Sequence, residues 1–394
     1  MSQDPVVIVG MARTAMGGFQ GELSEMTASQ LGAVAIEAAL KDAGVAGEDV
    51  DEVIMGNVLP AGQGQAPARQ ASKGAGVPDA AGCTTINKMC GSGMKATMFA
   101  NDLLTAGTND VMVAGGMESM TNAPYVLPKA RQGYRLGHSE VKDHMFLDGL
   151  EDAYEPGRLM GSFAEQTAQH YQFTREQQDA YAIRSLKRAQ AAQDSGVAAD
   201  EIAPVTMKTR KGEVVVDTDE QQRNANLDKI PQLKPAFAKD GTVTPANSSS
   251  ISDGAAALTL MLQSEAKRRG LTPLATIRGH AAYANQPGLF PTAPVGAIEA
   301  LMSKTGWSLD EVDLFEINEA FAVVALVTMS KLGLSHEKVN VHGGACALGH
   351  PIGASGARII VTLLSALRQR GLQRGVAAIC IGGGEATAMA IELN

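Results

Sequence analysis

Short strand-like apolar runs alternate with longer apolar helices along this chain, and glycine turns separate them. Thr84-Thr85-Ile86 reads as the end of a strand, and Met94 to Leu104 reads as an apolar helix. Between them lies the glycine turn NKMCGSGMKA (87–96). AAICIGGGEATAMAIE (377–392) is a β-run interrupted by three glycines, and VHGGACALGHPIGASGARIIVTLLSALRQRG (341–371) is a glycine-rich turn leading into a helix. Strands alternating with helices in this way predict parallel sheets with helices packed on their faces.

The pattern occurs twice. AIEAALKDAG (35–44) returns as AIEALMSKTG (297–306), and Val50-Asp51 falls on Val312-Asp313 at the same separation. Further on, Ser92-Gly93 matches Ser355-Gly356, and GGME (115–118) matches GGGE (382–385). Each half therefore reads as strand, helix, strand, glycine turn, helix and glycine-ended strand. Thr27 or Ser29 caps the helix that ends near Gly44, and Thr292 opens its counterpart ending at Gly306.

Residues 120–245 echo neither half. They are richer in charge and glutamine, HSEVKDHMFLDGLEDAYEPG (138–157) reads as surface loop, and one clear helix stands out, opened by Thr174 and stopped by Gly196. NSSSISDGAAALTLMLQ then rejoins the first half and supplies its last strand. The expected organisation is a first half of residues 1–119 plus 246–271, an inserted loop lobe of 120–245, and a second half of 272–394.

At 394 residues the chain exceeds what one hydrophobic core supports, which agrees with two halves and a lobe. The net charge of −9 argues against nucleic acid or an anionic membrane as partner. No basic stretch precedes an apolar run at the start, and no apolar segment approaches the ~20 residues of a membrane span, so a cytoplasmic protein is expected. Cysteines 83, 90, 346 and 380 have no metal or disulfide spacing and read as free thiols.

Cys90 lies where a strand stops and a helix begins. Free backbone N–H groups and the positive end of the helix dipole there are expected to lower its pKa, and Gly91 and Gly93 clear the approach to it. A buried small hydrophobe is the plainer alternative. His350, between Gly349 and Pro351, is the residue type that takes a thiol proton near neutral pH. The repeat sets its turn opposite the Cys90 turn across a pseudo-twofold. Cys380, ahead of three glycines, is a candidate second acid/base thiol, with the glycine N–H groups aimed at an oxyanion. Asn318, in FEINEAFA, follows a strand-like stretch and offers a polar group at the pocket floor.

These segments, with ARTAMGGFQG, AGGMESMTNAPY and GTVTPANSSSISDGAAA, resemble the thiolases over nearly the whole length, specifically the short-chain acetoacetyl-CoA branch. The resemblance implies an α/β thiolase-like fold. Two pseudo-twofold-related βαβαβ-type halves form a layered α-β-α-β-α core, with the inserted loop lobe. It implies an acyltransferase that condenses two acetyl-CoA molecules and thiolytically cleaves acetoacetyl-CoA, through an acyl-cysteine. Cys90 matches the acylated nucleophile, His350 its base, and Cys380 the acid/base at the α-carbon. Asn318 matches the residue that joins His350, through a water, in one oxyanion hole. The backbone amides of Cys90 and Gly382 match the other. Met160, Phe237, Ser249 and Phe321 match positions contacting pantetheine or the acyl group, and Arg223 matches a basic residue near the adenine end of CoA.

No metal or organic cofactor is implied, because CoA thioesters are substrates. Acetyl-CoA, acetoacetyl-CoA and CoA are the implied partners, and a homodimer or homotetramer the implied assembly. The sequence departs from the biosynthetic pattern at Leu159, where histidine is common, and at Phe290-Pro291, where Met-Gly often stands. LFPTAP is more like thiolases that also accept 2-methylacetoacetyl-CoA. Glu385 replaces a small or uncharged residue, and Cys346 and His342 read as structural. A longer-chain 3-ketoacyl-CoA thiolase is the nearest alternative. A ketoacyl synthase acting on a carrier protein would have histidine in place of Cys380, and a mere acyl-CoA binder would lack at least one reactive side chain.

Overall fold

The computed structural model describes residues 4–210 and 212–393. Nine strands form the main path of one sheet: β1 (Val6–Thr14), β2 (Glu52–Gly56), β3 (Gly82–Ile86), β4 (Val111–Ser119), β5 (Ser252–Leu262), β6 (Ala275–Ala284), β7 (Leu314–Ile317), β8 (Arg374–Ile381) and β9 (Glu385–Leu393). Their order is β7-β8-β9-β6-β1-β5-β4-β2-β3. The order reads outward from the middle in matching steps, first strand beside last strand beside next-to-last in each half. Within the sheet the halves join where Val7 pairs with Thr276 and Ile8 with Ala275.

The repeat has a structural reason. Asp51 Oδ2 accepts the N–H groups of Asp110 and Val111 at 2.8 and 2.9 Å, capping the start of β4. Asp313 Oδ2 accepts those of Gln373 and Arg374 at 3.0 and 2.8 Å, capping β8. The strand pairing, Glu52 with Met112 and Leu314 with Gly375, sets Glu118 level with Ile381 rather than with Glu385. The GGME and GGGE motifs are thus out of register by four residues, and their likeness does not follow the symmetry.

Helix α1 (Ala28–Ala43) covers the outer face of the first half, with Thr27 and Gln30 forming its capping box. Two helices fill the middle, α2 (Ser92–Thr105) and α3 (Ser355–Arg370), which pack on strands of both halves and on each other. Helix α3 is buried without interruption from Ser355 to Leu367, as a central layer requires. A helix of Ala293–Thr305 covers the outer face of the second half, completing five layers. Its Thr292 donates to Leu289 O and caps no N–H, so that expected cap does not form.

The two central helices cross at their first turns. A Cβ on Gly93 would stand 2.7 Å from Ala357 N, and one on Gly356 would stand 2.4 Å from Met94 N. Only glycine permits that approach, and it brings the turns preceding both helices to one place.

The segment 120–245 holds two long helices rather than one. Arg175–Asp194 begins at a Thr174 capping box, and Met160–Tyr171 precedes it without a side-chain cap. Residues 138–157 are not all surface loop, since His144, Met145 and Gly149 are buried. Residues 127–142 are exposed throughout. No helix of the described residues is long and apolar enough to cross a membrane.

Candidate active site

Cys90 lies two residues before α2, on a turn in which Met89 takes a φ of +46°. Gly91 and Ser92 N–H close the turn on Lys88 O and Met89 O at 3.1 and 3.0 Å. The Ser92 hydroxyl accepts Lys88 N–H and donates to Met89 O. Ser355, its mate in the repeat, braces the other turn. It donates to Pro351 O at 2.9 Å, leaving its oxygen to accept from His350 Nδ1 at 2.5 Å. The proton therefore sits on Nδ1, and Nε2 carries a lone pair.

Burial pushes His350 down to about 3, aided by the nearby positive charge of Arg358. The imidazole is neutral near pH 7. Burial likewise pushes the Cys90 thiol up to about 11, although hydrogen bonds from the Gly382 N–H and its own N–H oppose the rise. This corrects the expected lowering: desolvation outweighs the helix terminus. Cys380, buried beside Cys90, is also held well above the ordinary thiol range, by burial first and by Cys90 second.

A cavity of about 360 Å³ gathers these groups: Cys90, His350, Cys380 and Gly382 all line it. Met160, Phe237, Ser249, Phe290 and Phe321 line it too. Ser249 donates from both N–H and hydroxyl to Ala320 O, at 2.9 and 3.0 Å, and His350 N–H donates to Ser250 O at 3.1 Å. The segment 249–250 thereby stitches the NEAF loop to the histidine turn. Asn318 lies behind the lining, fully buried, with Arg358 Nη2 3.5 Å from its Oδ1. Its Nδ2 and His350 Nε2 are buried without a hydrogen-bond partner among the described residues.

A buried thiol, a half-buried thiol and a neutral base in one apolar cavity, with an unpartnered amide behind its lining, suit nucleophilic acyl transfer. Residues 6–264 match the description "Thiolase, N-terminal domain" and residues 271–393 match "Thiolase, C-terminal domain". The chain belongs to the thiolase family. It is 51% identical over 391 residues to acetyl-CoA acetyltransferase 2 of Arabidopsis thaliana, covering 98% of this chain and 97% of that one. It is 50% identical to the acetyl-CoA acetyltransferase of Cupriavidus necator, covering 98% and 99%. The crystal structure of the Bacillus anthracis acetyl-CoA acetyltransferase superposes with a TM-score of 0.97 at 42% identity, covering 99% of both chains.

Within this thiolase, Arg223 stands apart from the cavity lining. It lies in the last turn of a short helix, Glu220–Asn224, and pairs with Glu22 at 2.7 Å on the exposed surface. A second hollow of about 320 Å³ opens between that helix and the cavity, sharing Pro245 and Ser250 with it. Leu159 lines the main cavity, whereas half-buried Cys346 faces the second hollow and donates weakly to Glu319 O. His342 takes no part in the lining, and burial first, with Arg370 second, lowers it to about 4.

Sequence reasoning missed two supports of the thiolase site. Glu118, buried and pushed by burial up to about 7, accepts N–H from Val58, Leu59 and Gly353, and Asn57 Nδ2 at 2.7 Å. It fixes the turn beyond His350, and the GGME motif was its only signal. Phe146 and Leu150 form part of the cavity wall from the segment read as loop.

Proposed function

We propose that this thiolase is an acetyl-CoA C-acetyltransferase, condensing two acetyl-CoA molecules into acetoacetyl-CoA and CoA and running the reverse cleavage. The observation carrying this is the meeting of Cys90, Cys380 and a neutral His350 in one apolar cavity, in a chain about half identical to acetyl-CoA acetyltransferases.

Cys90 Sγ attacks the thioester carbonyl of acetyl-CoA while His350 Nε2 takes the thiol proton. The carbonyl electron pair returns, the bond to CoA sulfur breaks, and the proton passes from His350 to that sulfur. The exchange of one thioester for another is nearly balanced in energy, so this step runs both ways. Cys380 passes its thiol proton to His350, and the second acetyl-CoA then gives its α-proton to the thiolate so formed. Asn318 Nδ2, through a water shared with His350, holds the enolate oxygen. The enolate carbon attacks the acetyl-Cys90 carbonyl, whose oxygen is held by Cys90 N–H and Gly382 N–H. The carbon–sulfur bond breaks, and His350 returns the proton to Cys90, which restores two thiols and a neutral imidazole.

In the cleavage direction Cys380 protonates the departing enolate. Its raised pKa keeps it protonated for that task. Met160, Phe237, Ser249 and Phe321 then contact pantetheine or the acetyl group, with Arg223 toward the nucleotide end of CoA. The exposed apolar tip of the lobe supports a homo-oligomer, and Phe290 a pocket that also takes 2-methylacetoacetyl-CoA.

Incubation with acetyl-CoA followed by peptide mass spectrometry tests the reading. One acetyl group on Cys90 is expected, and none in Cys90→Ser, whose alkoxide is far harder to form than a thiolate. Turnover by Cys90→Ser within tenfold of the parent would overturn the assignment.

A further inference from the structure

The two donors assigned to the acetyl-Cys90 oxygen come from opposite halves of the fold. Cys90 N–H belongs to the turn before α2, and Gly382 N–H to the turn between β8 and β9. Among the described residues no strand ladder links these two turns, so beyond the hydrogen bond from Gly382 N–H to the Cys90 thiol the distance between the donors depends on two flanking side-chain contacts. One is apolar: Ile381 Cδ1 lies where a Cβ on Gly91 would stand only 2.4 Å away. The other is charged. Lys88 Nζ and Glu385 Oε2 form an ion pair, with 23% and 38% of the side chains exposed.

Both ends of that ion pair rise from fixed backbone. Lys88 N–H donates to Ser92 Oγ at 2.8 Å, and Lys88 O accepts Gly91 N–H. Glu385 opens β9, paired in register with Ile381 on one side and Ala284 on the other. Three glycines alone separate Ile381 from Glu385, and Gly383 and Gly384 have φ of +93° and +90°. A glycine turn of this kind has no side chain to stiffen it. Gly384 O accepts Asn285 N–H at 2.8 Å, which ties the turn to its own half, and the flanking residues add the link toward the Cys90 turn.

We propose that Lys88 and Glu385 are positioning residues that clamp the glycine turn to the nucleophile turn and so set the spacing of the two oxyanion donors. The inference rests on the acyl-enzyme reading above. On the histidine side, buried Glu118 binds the turn directly through backbone N–H groups. On the nucleophile side the strand register puts Ile381 at that level, and Ile381 carries no charge. The ion pair supplies the polar link that Ile381 lacks. Oxyanion donors act over a few tenths of an ångström, so a loosened turn weakens transition-state binding more than ground-state binding.

The test compares Glu385→Gln, Lys88→Met and the reversed pair Lys88→Glu/Glu385→Lys in acetoacetyl-CoA cleavage, each rate divided by the fraction of chains acetylated at Cys90. Each single variant should lose about three- to tenfold in kcat while KM stays within twofold of the parent. The reversed pair should recover most of that loss. Singles within twofold of the parent, or a reversed pair no better than the singles, overturn the clamp. If the parent itself carries no acetyl on Cys90, the acyl-enzyme reading and the clamp fall together. Acetylated parent and variants with equal kcat remove the clamp alone.

Discussion

His350 Nδ1 lies 2.5 Å from Ser355 Oγ, and that hydroxyl is already committed as donor to Pro351 O. The hydroxyl oxygen therefore receives the ring proton, and Nε2 is left as an acceptor facing the cavity. With Cys90 pushed up to about 11 and His350 down to about 3, both by burial, the resting pair is a neutral thiol beside a neutral imidazole. Proton transfer then belongs to the acylation transition state rather than to a preformed ion pair. Alkylation of Cys90 by iodoacetamide should rise about tenfold per pH unit from 6 to 9. A rate flat across pH 5 to 8 would mean an ion pair instead.

The same histidine affects stability in acid. Its folded pKa is depressed from 6.5 to about 3, so between those values the unfolded chain binds a proton that the folded chain refuses. Stability at this site is full above about pH 6.5 and falls as pH drops toward 3. His350→Asn should flatten the acid side of the melting-temperature profile. An unchanged acid slope would count against a buried neutral histidine.

Cys380→Ser separates the two chemical steps. Acyl transfer onto Cys90 moves no proton at carbon, so exchange of labelled CoA into acetyl-CoA should persist within about tenfold of the parent. Condensation and cleavage should fall by three orders of magnitude or more, since a serine hydroxyl is a far weaker acid than a thiol. Equal losses in both assays would remove Cys380 from the α-carbon.

Much of this architecture was legible because the repeat has physical causes. Asp51 and Asp313 each cap the strand beginning about sixty residues later. Ser92 and Ser355 each brace the turn in front of a central helix, and Gly93 and Gly356 let those helices touch. What failed to show needed three dimensions. The Met160–Tyr171 helix has no capping side chain and carries Gly161 at its second position, so local signals did not mark it. Local reasoning also got the Cys90 pKa wrong in direction, because a helix terminus is visible in sequence and burial is not. The pairing of Lys88 with Glu385 joins residues nearly three hundred positions apart, and the likeness of GGME and GGGE only matched Glu385 with Glu118 as repeat positions.

The hairpin of the lobe tests assembly. Tyr125-Val126 pairs with Lys142-Asp143, and the residues between them carry Leu127, Leu136 and Val141 at 53%, 98% and 57% exposure. Apolar side chains this exposed on one segment are the surface that the proposed homo-oligomer would cover. Replacing residues 127–141 with a short glycine–serine bridge should halve the mass seen by light scattering at micromolar protein, with Cys90 acetylation unchanged. An unaltered mass would assign assembly to another face.

Phe290 decides how much room the acyl group has. It is buried, edge-on to Phe163 at 6.2 Å and tilted against Phe321 at 6.5 Å, while Phe321 meets Phe237 edge-on at 6.1 Å. A ring held between two others, with Pro291 fixing the backbone after it, cannot swing into the cavity. Methionine has three side-chain torsions and reaches into whatever space is open. On the proposed reading, this rigid wall leaves the space beside Cys90 that one more methyl on the α-carbon would take. Filling such a pocket with a methyl is worth about 1 kcal/mol, a several-fold effect on rate. The parent should cleave 2-methylacetoacetyl-CoA with kcat/KM within about tenfold of acetoacetyl-CoA. Phe290→Met should lower the branched value several-fold and leave the unbranched one within twofold. If the parent rejects the branched substrate a hundredfold or more, the wall stands closer to Cys90 than this packing implies, and the ring excludes the methyl instead of admitting it.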